Sequence, residues 1–323
     1  MTDPAQSSAR VGAVIIGRNE GARLVACLAS FPGWVRPLVY VDSGSTDGSV
    51  AAARAAGAEV VALDMAVPFT AARARNEGFA RLRELGEPEF VQFVDGDCRM
   101  QPGWIEAASD FLEARPEVGV VCGRRREVHP EASIWNRLCD AEWDTPPGEA
   151  RACGGDALMR VAAVAAVGGY DPRLIAGEEP ELCVRLRQAG WKIWRIDREM
   201  TLHDAALTRI GQWWKRTRRG GHAFAEGAAM HGAPPERHWV AETRRALLWG
   251  VALPLVALVG MVVTPWAALI LAAYPLQALR LARRYGWERG VFMLLAKFPE
   301  AQGVLQYHLN RLRKRRARLI EYK

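Results

Sequence analysis

Phe90-Val-Gln-Phe-Val-Asp-Gly-Asp97 is an apolar strand that ends in two carboxylates separated by one glycine. Gly96 lets the chain turn between Asp95 and Asp97, so both can face one ligand. Working outward, the preceding segments alternate in type. Val11-Gly-Ala-Val-Ile-Ile16, Pro37 to Asp42, and Glu59-Val-Val-Ala-Leu63 have the apolar composition of short strands. Between them, Glu20 to Ser30 places Leu24, Cys27 and Leu28 at helical spacing. Gly48 to Ala56 and Ala71 to Leu85 are also helical in pattern. Repeated β-α-β units with short strands predict a mostly parallel sheet covered by helices. In such sheets ligands bind beyond the carboxyl ends of the strands. Val41-Asp-Ser-Gly-Ser-Thr-Asp-Gly48 and Val94-Asp-Gly-Asp97 both fall there. Hard carboxylate oxygens at such an edge suit Mg²⁺ or Mn²⁺ bridging a diphosphate.

The chain has 323 residues, half of them hydrophobic and 24% charged, which excludes wholesale disorder. Its net charge of +7 is unevenly spread. Arg280 to Lys323 holds 12 basic and 3 acidic residues, so the rest of the chain is near neutral. That distribution argues against a nucleic-acid partner. The tail stretch Arg311 to Arg318 is instead expected to attract anionic lipid. Six scattered cysteines without a C-x-x-C pair predict neither a disulfide framework nor a structural zinc site. Met1 to Arg10 is polar and lacks an apolar core, so the first domain is expected in the cytoplasm.

From Ala246 to Leu279 no charged residue appears over 34 positions. A single helix of that length would measure about 50 Å, against a bilayer core of about 30 Å. Pro254, Pro265 and Pro275 interrupt the run, which predicts a short helical hairpin in the membrane. Arg244 and Arg245 before it, and Arg280, Arg283 and Arg284 after it, put both ends on the cytoplasmic side. Trp213 and Trp214 with Lys215, Arg216, Arg218 and Arg219 fit either an interfacial helix or an ordinary structural one. Trp191 and Trp194 are expected in the core.

Four segments come in order: Ile15-Ile-Gly-Arg-Asn-Glu20, Val41 to Gly48, Ala74-Arg-Asn-Glu-Gly78 and Val94 to Asp97. Cys153-Gly-Gly-Asp156, Val167-Gly-Gly-Tyr-Asp171 and Gly177-Glu-Glu-Pro-Glu-Leu182 follow. Over about residues 11–205 the combination resembles the family 2 glycosyltransferases. The resemblance implies a GT-A fold, a Rossmann-like mixed sheet with flanking helices, here followed by the C-terminal apolar hairpin and basic tail. It implies that Asp42 hydrogen-bonds the nucleotide base, that Glu20 lines the nucleotide pocket, and that Arg75 contacts the nucleotide or its phosphates. By the same resemblance Asp95 approaches the ribose or sugar, Asp97 holds Mg²⁺ or Mn²⁺, and His203 is a second metal ligand or phosphate contact. Glu179 occupies the place of the catalytic base. The usual Glu-Asp pair is Glu178-Glu179 here, so Glu178 is a rival for that role. Gly17-Arg18-Asn19 replaces a common Pro-x-Tyr-Asn, and Arg18 is expected to add a phosphate contact.

The implied enzyme is metal-dependent and inverting, and it takes a nucleotide-diphosphate sugar as donor. Its acceptor is a lipid-linked molecule or glycan at the cytoplasmic face of the cell inner membrane, in surface polysaccharide or glycolipid synthesis. Two other readings stay open. One is a phosphohydrolase or phosphotransferase using Asp95 as nucleophile. The other is a catalytically degenerate membrane scaffold or nucleotide sensor. The expected organisation is a flexible 1–10, a nucleotide-sugar half at 11–122 and an acceptor and catalytic half at 123–205. An interfacial region at 206–245, membrane helices at 246–279 and a basic tail at 280–323 follow.

Overall fold

The computed structural model describes residues 10–314, so most of the expected flexible N-terminus and the last part of the basic tail lie outside the described residues. The chain divides after Ala206 into two units.

The first unit is built on one sheet. β1 (Val11–Gly17), β2 (Leu38–Asp42), β3 (Glu59–Ala62) and β4 (Phe90–Asp95) are joined by α1 (Ala22–Ala29), α2 (Ser49–Ala55) and α3 (Ala71–Leu85). β5 (Cys98–Met100), α4 (Trp104–Glu113), β6 (Val118–Glu127), α5 (Ile134–Trp143), β7 (Gly148–Ala150), β8 (Ala157–Arg160) and α6 (Val161–Ala166) come next. α7 (Glu178–Gln188) and β9 (Lys192–His203) complete it. The strand order is β3-β2-β1-β4-β8-β6-β9-β5, with β7 beside β9. The first four strands are parallel. Beyond them the sheet is mixed, because β8 runs antiparallel to both β4 and β6. The expected division between residues 122 and 123 falls inside β6, so the two halves share one sheet.

β1, β2 and β4 are buried almost end to end, as strands covered on both faces must be. Register decides where their polar ends emerge. Gly17 stands opposite Asp42, and Ile16 opposite Asp95, so two aspartates flank the end of β1. At the far side of the sheet Cys98 stands opposite His203. Trp191 and Trp194 pack against the core, as their apolar surroundings suggested.

α3 starts at Thr70, whose side chain accepts from Arg73 N–H, and stops before Gly86. Gly78 sets its distance from the sheet. A Cβ there would lie 2.4 Å from Val14 Cγ1 and 2.7 Å from Val41 Cγ2. Only glycine allows this approach, and it brings Arg75, one turn earlier, to the strand ends.

The second unit is helical. It contains α8 (Ile210–His231), then α9 (Val240–Leu247), which continues through a π turn at Leu248–Ala252 into α10 (Leu253–Val263). Pro254 has no N–H to donate, and the wider π turn just before it accommodates the missing bond. Thr264 is extended, and Pro265–Ala272 forms a 3₁₀ stretch that leads into α11 (Ala273–Tyr285). α10 packs against that 3₁₀ stretch, so the uncharged run folds back on itself at Thr264-Pro265. α12 (Trp287–Leu295) and α13 (Lys297–Leu312) follow, with α13 lying along α8. Trp213 is buried and meets Phe292 edge-on, whereas Trp214 is exposed. Val240–Val263 is one continuous 24-residue helix, the single one among the described residues apolar and long enough to cross a membrane. It begins six residues before the uncharged run and includes Glu242, Arg244 and Arg245.

Candidate active site

The loops after β1, β2 and β4 interlock before any ligand is considered. Asn19 N–H donates to Ser45 Oγ at 2.9 Å, and Asn19 Oδ1 accepts from Thr46 N–H at 2.7 Å. Asp42 accepts from Gly44 N–H at 3.0 Å, Ser45 N–H at 2.9 Å and the Tyr40 hydroxyl at 3.2 Å. Its carboxylate therefore shapes the 43–45 turn. Glu20 pairs with Arg23 at 2.8 Å, and its Cγ packs beside Gly96. The Arg18 guanidinium lies over the Phe69 ring.

Two of the sequence motifs meet through Asn76 and Tyr170. Asn76 Nδ2 donates to Tyr170 O at 2.7 Å, and Tyr170 N–H donates back to Asn76 Oδ1 at 2.8 Å. That pair anchors the 167–171 turn to α3, and the chain then runs through Gly177, in the left-handed region, into α7. Glu178 and Glu179 open α7, where the helix dipole favours acidic side chains.

Arg75 is 2% exposed and is the hub. Its Nη1 lies 2.9 Å from Glu178 Oε1 and 2.8 Å from Glu179 Oε1, and its Nη2 lies 2.9 Å from Asp95 Oδ1. A second guanidinium completes the network. Arg125 Nη2 lies 3.1 Å from Asp95 Oδ2, and Arg125 Nε lies 2.8 Å from Asp156 Oδ2. Asp156 is fully buried and also accepts from Asp95 N–H at 3.2 Å and Thr201 Oγ1 at 2.7 Å. Gly155 makes room for all of this. A Cβ there would lie 2.8 Å from Arg75 Nη2, 3.1 Å from Asp95 Oδ2 and 3.2 Å from Glu179 Oε1.

Glu179 carries a carboxyl pushed up to about 7, chiefly by burial and then by the adjacent Glu178 charge, with Arg75 opposing. Asp95 is held below the usual range, because its two guanidinium partners outweigh its burial. Beside this network, His203 Nε2 lies 3.3 Å from Asp97 Oδ2. The imidazole packs against Trp143 with ring centroids 4.9 Å apart. Asp95, Asp156, Glu178 and Glu179 are four carboxyls held by the two guanidiniums of Arg75 and Arg125, and Asp97 adds a fifth beside His203. That imbalance of charge, with a carboxylate and an imidazole converging at one point, is what a divalent cation fits.

The structure thus brings Arg75, Asp95, Glu178 and Glu179 into direct ion pairs and sets Asp97 beside His203. Asp42 and Glu20 stand outside that network, at the ends of β2 and β1. Arg125 and Trp143 carry no motif, and the sequence reading passed over them. Asp156 lay within a quoted motif without a role. The one signal for Arg125 is its place inside a strand, between Arg124 and Arg126, where alternation turns it to the opposite face.

Residues 13–163 match the family model described as glycosyl transferase family 2. The chain carries a family 2 glycosyltransferase domain. Over 285 residues this glycosyltransferase is 26% identical to the succinoglycan biosynthesis protein ExoA of Rhizobium meliloti, covering 83% of this chain and 86% of that one. Among solved structures, it resembles the mannosyltransferase PcManGT of Pyrobaculum calidifontis, in complex with GDP-Man and Mn²⁺, with a TM-score of 0.61. Identity there is 20%, covering 92% of this chain and 87% of that one. Glucosyl-3-phosphoglycerate synthase of Mycobacterium tuberculosis, in complex with Mn²⁺, UDP and glucosyl-3-phosphoglycerate, gives a TM-score of 0.50 at 19% identity. That match covers 71% of this chain and 82% of the synthase. At such identities these structures show the fold, a GT-A fold as the motifs implied.

Proposed function

We propose that this glycosyltransferase moves a sugar from a nucleotide-diphosphate sugar to a lipid-linked or glycan acceptor, inverting the anomeric centre. The setting is the cytoplasmic face of the inner membrane, in surface polysaccharide or glycolipid synthesis. The observation that carries the reading is Glu179. A carboxyl titrating near 7, held on Arg75 beside Asp95, is poised to take a proton from a hydroxyl at neutral pH.

In this scheme the acceptor hydroxyl loses its proton to Glu179 as its oxygen attacks the anomeric carbon. The carbon–oxygen bond to the diphosphate breaks on the opposite face, and the diphosphate departs with the electron pair. Arg75 orients Glu179 and Asp95, and Asp95 approaches the ribose or sugar. Asp42 and Glu20 line the nucleotide pocket. Asp97 and His203 would hold Mg²⁺ or Mn²⁺, which when bound offsets charge on the leaving diphosphate. Both Asp95 oxygens are engaged by guanidiniums, which speaks against the rival role as a phosphoryl-accepting nucleophile.

The ExoA likeness supports polysaccharide synthesis. The hairpin supports a membrane site. Val262 is 87% exposed and Trp266 is 75% exposed, and basic residues flank the two arms. Apolar surface of that kind suits lipid.

The test is release of nucleoside diphosphate by protein in native membranes. The donors are UDP-glucose, UDP-galactose, UDP-GlcNAc, GDP-mannose and dTDP-rhamnose, each with Mn²⁺ or EDTA and beside Asp97→Ala. Metal-dependent release from one donor, lost in the variant, is expected. Binding of UDP or GDP without turnover, even with membrane lipid extract as acceptor, would instead indicate a silent scaffold or sensor.

A further inference from the structure

Cys98 follows the Asp95-Gly96-Asp97 turn and has no part in the transfer chemistry above. Its thiol is fully buried, and its place on β5 is opposite His203 on β9. Cys98 Sγ lies 3.6 Å from Asp97 Oδ1. The ligand atoms of Asp97, Cys98 and His203 all fall within 4.8 Å of one another. These three side chains supply one oxygen, one nitrogen and one sulfur from buried positions.

A further observation points to an ion at this cluster. His203 is only 8% exposed, and it turns Nε2 toward Asp97. Oxygen and nitrogen ligands of a tetrahedral ion with bonds of about 2.0–2.1 Å sit about 3.3 Å apart. On an octahedral ion with bonds of the same length, neighbouring ligands sit about 3.0 Å apart. Asp97 Oδ2 and His203 Nε2 are 3.3 Å apart.

We propose that Cys98 is a third protein ligand, with Asp97 and His203, and that its sulfur makes this site take thiophilic divalent ions such as Zn²⁺ and Co²⁺. The inference rests on the reading of Asp97 and His203 as the cation site. Soft thiolate ligands favour such ions over Mg²⁺. Binding replaces the thiol proton with the metal–sulfur bond and releases the proton to solvent. Arg125 Nη2 donates to the sulfur at 3.3 Å. Zn²⁺ is then a competitor of Mn²⁺ and Mg²⁺ at the same residues.

Titration of the full-length, detergent-solubilised protein with Co²⁺ tests this. Visible d–d absorption reports bound cobalt, and a near-ultraviolet sulfur-to-cobalt charge-transfer band reports a thiolate ligand. The wild type is expected to show both. Cys98→Ser should keep the visible bands and lose the charge-transfer band. Asp97→Ala should lose both. Visible bands without charge transfer in the wild type would overturn the proposal and leave the Asp97–His203 site standing. A charge-transfer band that survives in either variant belongs to another thiol, for example Cys153 or Cys183, whose sulfurs lie 3.6 Å apart, and overturns it too. No cobalt bands at all would remove the cation-site reading together with the proposal. The wild-type and Asp97→Ala spectra decide the matter even if Cys98→Ser does not fold.

Discussion

Arg125 reaches Asp95 from the opposite side to Arg75, with Nη2 3.1 Å from Oδ2, so each oxygen of one carboxylate is held by a different guanidinium. A carboxylate held from both sides has its plane set before substrate arrives. Arg125 also stacks over Trp143, with the guanidinium 5.4 Å from the ring centre, and grips buried Asp156. Arg125→Lys keeps the charge but loses the fork. A displaced positioning group costs on the order of 100-fold in rate. Turnover should fall by about that factor in Arg125→Lys, measured as nucleoside diphosphate release at saturating donor. Turnover within twofold of wild type would show that Asp95 is set by Arg75 alone.

Gly155 offers a sharper steric test. An alanine methyl would enter the space between Arg75, Asp95 and Glu179, and none of the three can yield without loosening an ion pair. Gly155→Ala should lower turnover by about 100-fold while circular dichroism stays close to wild type. Near-normal turnover would mean that the network relaxes without cost to the chemistry.

The elevated carboxyl of Glu179 gives a pH signature. As a base it works only when ionised, so kcat/KM should rise with pH and level off above about 7. Glu179→Gln should remove both the activity and the limb, whereas Glu178→Gln should keep the limb. The same group affects folding. Its folded pKa lies above its ordinary value, so its contribution to stability is fully present below about 4.5 and is lost as pH rises through about 7. The melting temperature of Glu179→Gln relative to wild type should therefore rise between pH 5 and pH 8. A relative melting temperature that does not change with pH would place the titrating group elsewhere.

The exposed helix Val240–Val263 makes a prediction independent of the active site. A carboxylate near the middle of a spanning helix costs about 2.5–3.5 kcal/mol. Val256→Asp and Val259→Asp together should shift the protein from the membrane pellet to the supernatant in flotation and carbonate-wash assays. Undiminished membrane retention would mean that this helix is not what holds the chain there.

What the sequence determined by itself was local. Apolar strands of four to seven residues, each closed by Gly, Asp or Ser, placed β1 to β4 within a residue or two of their observed ends. The break at Thr264-Pro265 was legible for the same reason, since proline acts on its own neighbours. The carboxylates were legible because turn chemistry concentrates them at strand ends. Only the tertiary structure decided which charges meet. Arg124, Arg125 and Arg126 look like one solvated basic run, yet they go to Asp140, to Asp95 with Asp156, and to Glu199. Arg75 and Glu178 are 103 positions apart and touch because Gly78 lets α3 down onto the sheet while the Asn76–Tyr170 pair carries the chain back to α7. Electrostatic pairing of this kind depends on distance in space and on burial, and neither leaves a periodicity along the chain.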